Sequence, residues 1–189
     1  MKIRYSTKQL VLMAMFTAIS IVLVWLIHFP LFPGAAFLLY DPGDITIIIT
    51  ALLFGPWNAL GVTVIVALIQ GLLISPADGL VGASMHILAT GALVAVIGLI
   101  VHARRSSYHP RRTVPALVAG VLVMTVTMIG WNMLITPWYY HMPFDVVMTS
   151  FMPFIIPFNL IKGGANAVLA FALFYAARRV VRDPELFRA

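Results

Sequence analysis

Long apolar runs alternate along the chain with short clusters rich in proline, glycine and aspartate. The runs cover about 9–29, 44–56, 57–75, 79–102, 113–136 and 151–177. A membrane-crossing helix needs about 20 apolar residues, so most of these runs are long enough to span a bilayer. The breakers are "FPLFPGAAFLLYDPGD", "FGPWN", "SPADG", "HARRSSYHPRR" and "TPWYYHMPFD". Each carries glycine, proline or charge where a helix must stop. The pattern predicts an all-α membrane protein of six transmembrane helices, a single integral membrane domain over 1–189. The run at 44–56 is short. It is expected to tilt, to kink or to begin inside the preceding loop.

Charge placement orients these spans. Lys2, Arg4 and Lys8 precede the first. Arg104, Arg105, Arg111 and Arg112 share the loop after the fourth, and Arg178, Arg179, Arg182 and Arg188 end the last span or follow it. Lysine and arginine collect on the cytoplasmic side of membrane proteins. With six spans and a cytoplasmic N-terminus, all three clusters fall inside. The loops after spans one, three and five then face outward. They contain no lysine or arginine and hold Asp41, Asp78 and Asp145, with Asp44 at an edge. The basic, then apolar N-terminal stretch resembles a signal peptide. Its apolar run continues to Phe29 with no A-x-A-type site, which predicts a retained span.

Composition agrees. Apolar residues make up 62% of the chain and charged residues 10%, with a mean hydropathy of +1.02, whereas soluble domains carry roughly 25% charged residues. The net charge of +6 follows the inside rule and does not point to nucleic acid. No cysteine is present, which removes disulfides and thiolate chemistry.

Lys162 is the one basic residue outside the three clusters. A cation at mid-membrane costs at least about 2.5–3.5 kcal/mol, so it should face a protein interior or a wet cavity. If Pro157 marks the first helical turn, Lys162 lies about 7.5 Å along the helix. Asn159 and Asn166 stand three residues before and four after it, on the same face. This polar ladder is expected to line an outward-facing pocket; the alternative is a lysine snorkelling to the headgroups. Asn132, near the outer end of span five, matches Asn159 in depth. It suits either the pocket or an interhelical hydrogen bond. Gln70 and His86 carry the same two readings. His86 has no histidine three or four residues away, so no metal site is expected. Phe37, Leu38 and Tyr40 suit an apolar lid or an aromatic belt, and Asp44 suits the N-cap of span two. Trp138, Tyr139 and Tyr140 form an interfacial aromatic cluster. Ala14 and Ala18 form an A-x-x-x-A face that lets another helix approach closely.

No Walker A, H-E-x-x-H or G-x-S-x-G motif occurs, and membrane carboxylates are too few for a proton relay. If the protein transports, its energy is expected to come from a partner. An intramembrane enzyme is the competing class. Ser84 and His86, two residues apart, point to different helix faces, which speaks against a dyad. A structural or assembly protein, with its polar residues as interhelical glue, is the third.

The chain resembles the S components of energy-coupling factor (ECF) vitamin transporters, most closely the riboflavin-binding type. The likeness runs over nearly the whole length. It rests on "AMFTA" in span one, "LLYDPGDI…LLFGP" across loop one and span two, "LITP" ending span five, and above all "IPFNLIKGGANAVLAF" in span six. The resemblance implies a substrate-capture subunit with no cofactor of its own, riboflavin being cargo. It implies a transmembrane coupling protein and two cytoplasmic ATPases as partners, with Ala14 and Ala18 docking on the coupling protein. It also implies ligand contacts from Asn132, Asn159 and Lys162, with Phe37, Leu38 and Tyr40 closing over the ring. Folate, thiamine or a pantothenate-like ligand remains the alternative cargo.

Overall fold

The computed structural model describes residues 6–75, 79–103 and 109–180. Among the residues named above, Lys2, Arg4, Asp78, Arg104, Arg105, Arg182 and Arg188 lie outside these, as does the side chain of Tyr140.

Six main helices form one bundle: α1 (Thr7–Leu26), α2 (Asp44–Phe54), α3 (Pro56–Ile69), α4 (Gly79–His102), α5 (Pro110–Tyr140) and α6 (Met152–Val180). Among the described residues, five helical runs are long and apolar enough to cross a membrane; α2 is not. A capping box starts α1: the Ser6 hydroxyl accepts from the Gln9 amide, and the Gln9 side chain accepts from the Ser6 amide, both at 3.2 Å. The helix ends at Leu26 rather than at the expected 29. Phe29–Pro30 (β1) instead pairs antiparallel with Leu39–Tyr40 (β2), which draws loop one into a closed flap.

α2 has 11 residues, nine of them buried. Its shortness follows from its place: it runs inside the bundle, against α1, α3, α4 and α6. Gly55 breaks α2 from α3 at φ 84°, in the left-handed region that favours glycine. Pro56 then opens α3. The His102 Nε2 reaches across from α4 to the Leu52 carbonyl at 3.0 Å and the Ala51 carbonyl at 3.2 Å, capping the end of α2. Gly98 permits this approach, since a Cβ there would meet the Pro56 nitrogen at 2.6 Å. The core centres on Ile47, Ile48, Leu52, Leu93, Ile97, Met124 and Phe174.

Two stretches are longer than the apolar pattern predicts. α5 includes residues on both sides of the expected 113–136, passing Pro115 and Pro137. α6 is preceded without a break by Phe144–Val146 and a π-helical turn at Val147–Phe151. Pro157 therefore sits within α6 and does not start it. Lys162 follows Met152 by ten residues, about 15 Å along the axis, and does not stand about 7.5 Å from a helix start at Pro157.

Candidate functional site

A cavity of about 420 Å³ lies at the end of the bundle that carries loops one, three and five. By the charge pattern this is the outer end. The volume falls within the roughly 300–1,000 Å³ typical of small-molecule sites. Its roof is Phe37, Leu38 and Leu39 of loop one with Phe151, and its floor and sides include Met85, Met124, Met128, Ile155 and Phe158. The walls are thus mostly apolar and partly thioether, a lining that adapts to a flat ring.

Seven of the expected ligand residues line this cavity: Phe37, Leu38, Gln70, His86, Asn132, Asn159 and Lys162. Asn132 and Asn159 share one arrangement. Each donates its Nδ2 to the carbonyl one turn earlier on its own helix, Met128 and Ile155 respectively, at 2.8 Å. The Thr136 hydroxyl donates to Asn132 Oδ1 at 3.0 Å and fixes the amide's direction. Both asparagines are buried from outside solvent, so their remaining polar capacity is directed at the cavity.

Lys162 is neither snorkelling nor alone. Its Nζ donates to Asp41 Oδ2 at 2.6 Å, and the two side chains are only 12% and 2% exposed. Asp41, read from sequence simply as an outer-loop acid, is the missing half of this site. The sequence signals that Lys162 needs a carboxylate partner but not which one. The chain holds six carboxylates, and a membrane lysine must pair with something.

Tyr40 and Asn166 are not on the cavity walls. They sit behind Asp41 and hold it: the Tyr40 hydroxyl donates to Asn166 Oδ1, and Asn166 Nδ2 donates to the Asp41 carbonyl, each at 3.0 Å. Burial, aided by the Asp41 charge, pushes the Tyr40 phenol above its ordinary pKa and keeps it a donor. Phe29 meets Tyr40 in a tilted pair at 5.4 Å between centroids, as do Phe37 and Phe151 at 5.4 Å and Phe32 and Phe154 at 5.8 Å. Loop one is therefore pinned to α6 and its lead-in by aromatic pairs and by one ion pair. Ser20 of α1 adds a hydrogen bond to the Gly43 carbonyl at 2.9 Å.

Asp44 does not cap α2. Gly43 holds that position without a side-chain hydrogen bond, and the Gly43 amide donates to Asp41 Oδ1 instead. The Asp44 carboxylate turns inward, to the Thr90 hydroxyl at 2.8 Å and His86 Nε2 at 3.2 Å. A carboxylate completely buried at the mouth of α2 gains more from two inward partners than from one backbone amide. Trp138 and Tyr139 are exposed on the outside of α5 and do not line the cavity. Ala14 and Ala18 are also exposed, on a face of α1 shared with Val11 and Met15.

A six-helix membrane bundle with an apolar, asparagine-studded cavity at its outer end defines a substrate-binding membrane subunit. The family described as "ECF transporter, substrate-specific component" matches residues 8–174, and the chain belongs to that family. It is accordingly a multi-pass plasma-membrane transport subunit and not an enzyme. It is 29% identical over 176 residues to the riboflavin transporter FmnP of Bacillus subtilis (strain 168), over 88% of this chain and 90% of that one. A solved structure, described as the S component of a bacterial ECF transporter, superposes with a TM-score of 0.78 at 26% identity. That match covers 93% of this chain and 98% of the other.

Proposed function

We propose that the chain captures riboflavin from outside the cell and hands it to an ECF module for ATP-driven uptake. The observation that carries this reading is the convergence of Asn132, Asn159 and Lys162 on an apolar cavity roofed by loop one. Riboflavin has a flat apolar ring with a polar edge and a hydroxylated chain. Amides set in a methionine-rich cavity match that division. The similarity to a riboflavin transporter supports the same cargo over another vitamin. The partners would be a transmembrane coupling protein, met by the Ala14 and Ala18 face of α1, and two cytoplasmic ATPases.

Titration of the purified protein with riboflavin tests the proposal, with quenching of flavin fluorescence as the signal. Saturable quenching is expected. No binding at micromolar concentrations would remove riboflavin as the cargo. Mass spectrometry of small molecules that copurify would then identify folate, thiamine or another vitamin as the alternative.

A further inference from the structure

Besides the asparagines of α5 and α6, the cavity has a second polar wall, on α3 and α4. Gln70 opens a π-helical turn, Gln70–Ile74, at the end of α3. Such turns occur mostly as single irregularities within helices, often at functional sites. Here the turn packs against the start of α4, where a Cβ on Gly71 would meet the Gly79 carbonyl oxygen at 2.6 Å. The Gln70 Oε1 lies 2.5 Å from His86 Nδ1, and the other ring nitrogen of His86 lies 3.2 Å from Asp44 Oδ1. Asp44 is thus the base of a chain, Asp44–His86–Gln70, that fixes the direction of one amide. With one polar atom of its amide on His86, Gln70 keeps the other for the cavity. Thr90 also lines the cavity. Its proton is committed to Asp44 at 2.8 Å, which leaves oxygen lone pairs as acceptors.

Beside this wall is a side chamber of about 60 Å³, lined by Gln70, Gly71, Ser75, Gly82, Ala83 and His86 among others. Gln70, Ser75, Gly82 and His86 border both spaces. The chamber exceeds the volume of a water site but is far too small for a fused ring system. It has room for the end of a hydroxylated chain or for a few waters. Hydroxyls both donate and accept, so they suit either amide atom of Gln70 as well as the acceptor at Thr90.

We propose that the α3–α4 wall is the seat of the ligand's hydroxylated chain. Gln70 and Thr90 are the contacts, and His86 and Asp44 are positioning residues. The ring edge then faces Asn132 and Asn159. This assignment rests on the riboflavin reading above and gives the cavity a direction.

Two probes separate the walls: riboflavin, and lumiflavin, which carries a methyl group in place of the chain. Equilibrium fluorescence titrations would compare the wild type with Gln70→Met, Thr90→Val, His86→Ala and Asn159→Leu. Gln70→Met and Thr90→Val are expected to weaken riboflavin by about tenfold, one hydrogen bond's worth, and lumiflavin by less than about twofold. His86→Ala should reproduce the selective loss, because it frees the Gln70 amide; a general packing defect would weaken both probes. Asn159→Leu should weaken both flavins by similar factors. If Gln70→Met and Thr90→Val weaken both probes equally, or neither, the assignment of this wall is wrong while riboflavin binding stands. If the wild type binds neither flavin, the riboflavin reading falls and this assignment with it.

Discussion

Lys162 Nζ lies 2.6 Å from Asp41 Oδ2, an ion pair that joins the middle of α6 to loop one across 121 positions of sequence. The pair sets both the electrostatics of the cavity and the position of its roof. The lysine is kept at membrane depth by a carboxylate from the loop, and the loop is kept down by the lysine. Phe37, Leu38 and Leu39 of the roof immediately precede Tyr40 and Asp41.

Breaking one half of this pair should therefore cost more than breaking both. Removing a single partner from a buried ion pair typically destabilises by about 3–5 kcal/mol, because an uncompensated charge remains. Lys162→Met and Asp41→Asn are each expected to lower the thermal unfolding midpoint in detergent. The double variant should recover much of that loss yet still bind riboflavin poorly, since the ammonium is gone and the loop is untethered. Purely additive losses in the double variant would show that the two residues do not act as a pair.

The asparagines act differently. Asn132 and Asn159 are already anchored to their own helices, so replacing them leaves the fold largely intact and removes only what they offer the ligand. Asn132→Leu and Asn159→Leu are each expected to weaken riboflavin about 10- to 100-fold, as for a buried polar group left without its partner. Thr136→Val should have a smaller effect in the same direction, because Thr136 orients Asn132. Isothermal calorimetry on the detergent-solubilised protein gives the comparison. An unchanged affinity in both asparagine variants would remove the pair from the site.

These residues also show how far the sequence could be read. Lys162 stood out because a lone cation in an apolar run is costly, and Asn159 was found through its helical spacing from Lys162. Neither argument needs a fold. Asp41, Thr90 and Thr136 were not legible in that way. A threonine in an apolar helix usually bonds its own preceding turn, as Thr63 and Thr125 do here, so nothing local marks the two that face a cavity. Asp41 lies in a Pro/Gly-rich stretch where an acidic residue is ordinary. Its role appears only when the loop folds back onto α6. The helix starts misled for a related reason. Pro157 has the look of a first helical turn, but a π-helical turn at Val147–Phe151 carries the helix through that position. Asp44 has the look of a cap, but Thr90 and His86, 42 or more positions away, compete for it successfully.

Loop one should control the rate at which ligand leaves. Tyr40 and Asn166 do not line the cavity, yet they fix Asp41 from behind. Tyr40→Phe and Asn166→Leu are expected to speed riboflavin dissociation several-fold, as one or two net hydrogen bonds would allow, with little change in association. Stopped-flow fluorescence separates the two rates. The Tyr40 phenol is held above its ordinary value of 10.0, and its donor is lost only as pH rises through that raised value. The wild-type advantage over Tyr40→Phe should therefore stay constant between about pH 6 and pH 9. An advantage that disappears within that range would mean that Tyr40 does not act through its proton.

The exposed face of α1 separates capture from transport. Ala14 and Ala18 are exposed and far from the cavity lining, and α1 has only Ser20 and Val24 fully buried. Small residues one turn apart allow close helix approach, and a large side chain there holds two helices apart. Ala14→Leu and Ala18→Leu should leave riboflavin affinity within about twofold of wild type, since no cavity contact changes. Co-purification with the coupling protein and riboflavin uptake by cells should both fall sharply. Vesicles carrying the complete transporter would show the same loss with ligand binding preserved. If uptake survives both substitutions, docking uses another face of the bundle, and the A-x-x-x-A pattern in α1 reflects helix composition alone.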